Sequence, residues 1–187
     1  MSAVYENPVA ETPPDLFNAV RDCLRTLVRP AMNENAIVSG WKNQASLVPE
    51  TTDFAVVTAT SAIRRGTNVS TFDPETEKMT VRELVEVTLD VDFCSDTDAT
   101  ALTRAVALSL VARDELGVSF FEPYGIACLF ADDPKRMEAD EKIAFVRYTT
   151  TLHVSYWAGV TVDIASFDTI TPSLENVDVH HPQKTTE

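Results

Sequence analysis

The chain has 187 residues, of which 44% are hydrophobic and 24% charged, and it carries a formal net charge of −14. That length suits one domain with a real core and is short for two. The acidity argues against a protein that grips nucleic acid, because such a grip comes mostly from Lys and Arg neutralising phosphates; it still allows DNA as a neighbour that is repelled rather than held.

Residues 1–11 are polar and contain proline, which predicts a flexible N-terminal arm. They hold no basic residue and no apolar stretch, so no secretion signal is expected. No apolar run reaches the ~20 residues of a membrane span. A single domain is expected over residues 12–171, followed by an extended tail over residues 172–187. Thr12-Pro13-Pro14-Asp15 predicts a helix start with Thr12 as cap, and Leu16, Val20, Cys23, Leu24, Leu27 and Val28 form one stripe that Pro30 ends. Ile37-Val38 suggests a short strand; Gly40-Trp41 and Leu47-Val48-Pro49 suggest a packed loop.

Phe54 to Ser61 is β-rich and able to continue through Ile63. Arg64-Arg65-Gly66-Thr67-Asn68 breaks the pattern, and Asp73-Pro74-Glu75 marks a turn. A polar loop from Gly66 to Thr80 is therefore expected, long enough to be an arm that reaches a neighbour. Val81 to Phe93 alternates: Val85, Val87, Leu89, Val91 and Phe93 share one face, Glu86, Thr88, Asp90 and Asp92 the other. The two strands predict a long β-hairpin.

Ser95-Asp96-Thr97-Asp98 opens a second helix with Leu102, Val106 and Leu110 as its spine and Gly117 as its stop. Ile126 to Ala131 is a short strand ended by Asp132-Asp133-Pro134. Ile143 to Trp157 alternates again, with Tyr148, Leu152 and Val154 on one face and Arg147, Thr149, Thr151 and His153 on the other. The expected fold is α+β: an antiparallel sheet of about four main strands, a long hairpin plus two later ones, with two main helices on one face.

Little in the chain points to chemistry. The histidines are His153, on a polar strand face, and His180 and His181 in the tail; no GxSxG, Walker, GxGxxG or HExxH pattern is present. Cys23, Cys94 and Cys128 lie far apart without CxxC spacing and read as reduced core thiols. The acids Glu86, Asp90, Asp92, Asp96 and Asp98 suggest a metal-binding phosphoesterase, but same-face residues on a strand are ~7 Å apart, so Glu86 and Asp90 lie ~13 Å apart. A solvated face, or an acidic lumen wall in a ring, fits them better. Asp132 and Asp133 read as a turn or a contact with a neighbouring subunit. Arg64 and Arg65 read as a solvated strand end or a docking fork for another subunit's carboxylate. No catalytic residue, metal or cofactor is expected.

Several runs taken together resemble the neck or tail-terminator proteins of long-tailed bacteriophages. They are Thr52-Asp53-Phe54-Ala55-Val56-Val57-Thr58, Arg64-Arg65-Gly66-Thr67-Asn68, Val85 to Phe93, and Leu129-Phe130-Ala131-Asp132-Asp133-Pro134-Lys135-Arg136 with the Tyr148 to Tyr156 strand. The similarity spans about residues 37 to 180. The resemblance implies a structural virion protein, assembled in the host cytoplasm, that forms a ring, commonly of six copies. Such a ring caps the tail tube and meets a head-completion or connector protein, while genomic DNA passes through without specific binding. Arg64, Arg65, Asn68, Asp73, Asp132 and Asp133 are then candidate subunit contacts, and Glu86, Asp90 and Asp92 candidate lumen-facing acids. A tail-tube or head-completion subunit is the alternative within the same particle.

Overall fold

The computed structural model describes residues 5–40, 53–137 and 145–164. In chain order its elements are β1 (Tyr5–Ala10), α1 (Leu16–Thr26), β2 (Ile37–Ser39), β3 (Phe54–Asp73), β4 (Lys78–Ser95), α2 (Asp98–Ala112), α3 (Glu115–Phe121), β5 (Ala127–Ala131), β6 (Lys135–Met137) and β7 (Val146–Ile164). The strands make one seven-stranded sheet in the order β1-β7-β4-β3-β2, with β5 and β6 also on β7. The mixed α/β character and the long hairpin agree with the sequence. The details differ: among the described residues three long strands and four short ones replace about four main strands, there are three α-helices, and β2 pairs parallel to β3. Trp41 and Leu47-Val48-Pro49, Ile143 and the tail from residue 165 onward lie outside the described residues.

The alternation in β4 dictates the sheet. Every residue from Lys78 to Ser95 pairs with β7, running from Asp163 to Val146 without a register shift. Val85, Val87, Leu89, Val91 and Phe93 are buried beside Leu152 and Val154. Three short strands share the other edge of β7: β6 against Arg147–Thr149, β5 against Leu152–Ser155, and β1 against Val160–Ile164. Residues 5–10, expected within an N-terminal arm, thus add a strand. Glu11 fixes its end, accepting from Arg82 Nη2 at 2.7 Å. A Cβ at Gly159 would collide with that carboxylate, so the glycine leaves room for the pair inside an unbroken strand.

The helices cover one face only. Helix α1 buries Ala19, Val20, Cys23 and Leu24. It starts at Leu16, not Thr12, with Asp15 accepting from the Asn18 amide at 3.0 Å, because Pro13-Pro14 disfavours helical backbone in the residues before each proline. Helix α2 lays small residues on the sheet, with Ala101, Ala105, Leu108 and Ala112 buried. The expected spine is corrected here, since Val106 and Leu110 face outward. Close approach explains the inversion: the hydroxyl of buried Thr150 on β7 reaches the Ala105 carbonyl at 3.2 Å, which a bulky side chain at the contact would prevent. Gly117 does not stop α2 either. The helix ends at Ala112, Asp114 caps α3 through the Leu116 amide at 3.0 Å, and Gly117 is buried inside α3.

The expected polar loop from Gly66 to Thr80 is also corrected. β3 runs through it to Asp73, turns over Pro74–Glu77, and returns as β4. Asp73 shapes the turn, accepting from the Glu75 amide at 3.0 Å and the Thr76 hydroxyl at 2.8 Å. The polar residues stay extended because β4, backed by β7, supplies a full ladder; a register shift between Arg65 and Val69 absorbs Gly66, whose φ is 90°. Beyond Val85 no residue of β4 toward the turn is buried. At ~3.3 Å per residue the sheet therefore projects about 23 Å past its core as an arm.

One buried cation ties the helix layer to the sheet. Arg104 of α2 is 4% exposed and donates to the Pro30 carbonyl at 3.0 Å and to both carboxylate oxygens of Asp53, one at 3.0 Å. Its hydrogen bond holds the Asp53 carboxyl below the ordinary range, a shift that burial partly opposes. A depressed carboxylate stabilises the fold fully above the unfolded value of about 3.9 and loses that effect as pH falls through the folded value. Asp53→Asn should cost about 2 kcal/mol at pH 7, after discounting for the solvent-exposed side of Asp53. Melting curves of the two proteins should begin to converge as pH falls below about 4 and meet only below the lowered folded value. Gly117→Ala should also destabilise, by about 1–3 kcal/mol, although alanine is the better helix former. Its Cβ would strike the Val111 carbonyl oxygen and lie 3.2 Å from Ala112 Cα; denaturant midpoints at constant slope check this.

Candidate functional site

The sheet face opposite the helices gathers most of the polar candidates. Period-two alternation places Glu86, Asp90 and Asp92 of β4 there, and the register sets Ser155, Thr151 and Thr149 of β7 beside them. Asp90 accepts from Thr151 Oγ1 at 2.8 Å. Asp92 accepts from the Thr149 hydroxyl and lies 3.8 Å from Arg147 Nε. Glu86 accepts from Arg65 Nε at 2.7 Å, a bond that, with a lesser contribution from His153, holds its carboxyl below the ordinary range. The three acids are thus held singly by sheet neighbours rather than pooled around one point.

His153 is the residue whose part the sequence concealed. It pairs across from Thr88, with Nδ1 3.5 Å from Glu86 and Nε2 3.9 Å from Asp132. Phe130 of β5 stacks on its ring at 4.2 Å between centroids. Arg65, Glu86, His153 and Asp132 therefore form one row across β3, β4, β7 and the turn after β5. Alternation placed His153 on this face, but only the register of β5 on β7 reveals its partners.

The other candidates separate into two places. Asp133 meets Arg113 Nη2 at 3.0 Å, and the same guanidinium caps the Ala131 carbonyl at 2.7 Å, so the Asp-Asp-Pro turn is bound to the end of α2. Arg64 and Asn68 line a groove of about 260 Å³ on the arm with Val81, Arg82, Glu83, Ala158, Gly159 and Val160. Arg64 Nε is 3.1 Å from Glu83, so both arginines of the pair have carboxylate partners inside their own chain. Asp73 shapes the arm's turn.

Among the described residues no three His, Cys, Asp or Glu side chains are placed to hold a metal ion. Burial pushes the Cys23 and Cys94 thiols up to about 12 and Cys128 to about 11, so all three stay protonated near neutrality and lack nucleophilic character. No helix among the described residues is long and apolar enough to cross a membrane.

No curated protein matches the chain. The family model described as phage neck terminator protein matches residues 15–179, which takes in both helical regions, the arm and all three long strands. A match over that share of the sequence, on a fold whose polar residues are held by structural neighbours, assigns a structural role in the phage neck. The chain belongs to the phage neck terminator family.

Proposed function

We propose that this protein assembles as a ring, of about six copies as the resemblance implies, at the head-proximal end of the tail. There it caps the tail tube, meets the head-completion or connector protein, and lets genomic DNA pass. The observation that carries this reading is the family match, which runs unbroken through core and arm alike. Closure of a ring needs two different patches on each copy, and a sheet that projects past its own core supplies a surface away from the helices.

In the ring, the sheet face bearing Glu86, Asp90 and Asp92 lines the passage. Arg65 and Arg147 on this face each face a carboxylate of the same chain, which weakens their grip on phosphate, while the acids repel it. The DNA thereby moves without being held.

Two measurements test the proposal. Mass and negative-stain imaging of the purified protein, alone and with tail tubes, should give a ring; a stable twofold dimer under every condition would sink it. Asp90→Lys should lose the bond to Thr151, costing about 1 kcal/mol, or a few degrees of melting temperature, while assembly persists. Particles carrying it should eject DNA more slowly, most of all at low salt, where screening is weakest. Wild-type ejection at every ionic strength would mean that this face points away from the DNA.

A further inference from the structure

Helix α2 is apolar on both sides. Ala101, Ala105, Leu108 and Ala112 pack on the sheet, yet Val106 and Leu110, one turn apart on the outer side, are left open, with Leu110 65% exposed. Leu116 follows at the start of α3 and is 61% exposed. A helix that is hydrophobic all round belongs in an interior, and among the described residues of one copy nothing covers this one. Asp114, Glu115 and Glu122 surround it in the chain and are exposed, and among the described residues they make no ion pair.

The arm carries a surface of opposite character. On the side of the sheet that bears the helices, Phe72 pairs across from Met79, Met79 from Val162, and Val81 from Val160, which makes an apolar strip beyond the end of the core. Phe72 and Val160 are exposed. The groove beside them is flanked by Arg64, whose side chain is 78% exposed and whose Nε lies 3.1 Å from Glu83. A guanidinium so exposed can take a second carboxylate on its planar fork.

We infer that the arm of one copy closes over α2 and the start of α3 of the next copy. Leu110 and Leu116 enter the apolar strip and groove, and Arg64 meets Glu115. The two surfaces are different, apolar at the centre and opposite in charge at the rim, which is what a head-to-tail contact that closes into a ring requires. The occupant is thus a second copy of this chain. The inference rests on the ring reading and adds which surfaces make the ring.

The test uses the full chain, with sedimentation over a concentration series and in the presence of tail tubes. Leu110→Glu and Val160→Glu both alter exposed positions, so each should fold with normal circular dichroism. Each alone should raise the concentration at half assembly by about tenfold or more. Mixed one to one, they should give a heterodimer and nothing larger, because each retains the surface that the other has lost. Arg64→Glu should weaken assembly, and adding Glu115→Arg to the same chain should restore it. A wild type that stays monomeric throughout would overturn the ring itself. A wild-type ring whose assembly ignores all these changes would overturn this interface alone. So would variants that fail to assemble but do not pair when mixed, since the exposed helix face would then be covered by something other than the arm.

Discussion

Every residue of β4, 18 in all, pairs with β7 without a bulge, and nearly all else in the structure is arranged around that ladder. An unbroken antiparallel register fixes both faces together. A slip by one residue would carry Glu86, Asp90 and Asp92 into the core and Val87, Leu89 and Val91 into solvent. The burial of five large apolar side chains on one strand therefore also secures the polar face, including the threonines that hold the acids in place. The same ladder extends past the helices, so the arm begins as a continuation of the core sheet and inherits its register.

The edges of that sheet are managed unequally. On the β7 side, β6, β5 and β1 follow one another along a single strand, each short, and together they satisfy most of its length. On the β3 side, β2 covers only Ala55–Val57. Two register shifts in β3 and the paired charges of Arg64 and Arg65 disrupt the remaining edge as a template for another chain. The arm is therefore better suited to contact through its face than through strand addition.

Legibility in the sequence followed the strength of the local period. Val85 to Phe93 alternates strictly and Tyr148 to Tyr156 nearly so, so both strands and the faces of most of their residues could be read in advance, buried Thr150 excepted. The arm could not, because from Arg64 to Thr80 the apolar residues are few, Val69, Phe72 and Met79, and do not alternate. Nothing local distinguishes a solvated strand from a loop when the deciding ladder comes from partners distant in sequence. The polar candidates were partly readable. Alternation gave Glu86, Asp90, Asp92 and His153 a common face, but the contacts of Arg65, Asp132 and Phe130 with that row depend on register between four separate segments. The second helix misled for a different reason: both its faces are apolar, and periodicity alone favours the larger side chains as the buried ones.

That error has a physical origin that bears on how the protein works. A helix brought close enough for Thr150 to reach the Ala105 carbonyl must present small side chains to the sheet, and Gly117 brings α3 equally close to the end of α2. Tight packing of small residues leaves less apolar area buried per turn than leucines would, so this layer is stabilised in part by the polar clamp of Arg104 on Pro30 and Asp53. The bulky residues Val106 and Leu110 are consequently displaced to the outside. A sequence shaped only for a stable monomer would gain by placing charges on the outer face. Keeping leucine outside is costly in solubility for a free subunit, and a highly acidic chain offsets that cost through mutual repulsion before assembly. In the proposed ring, large net charge and the exposed outer face of α2 thus belong to one arrangement, in which copies stay apart until their specific surfaces meet.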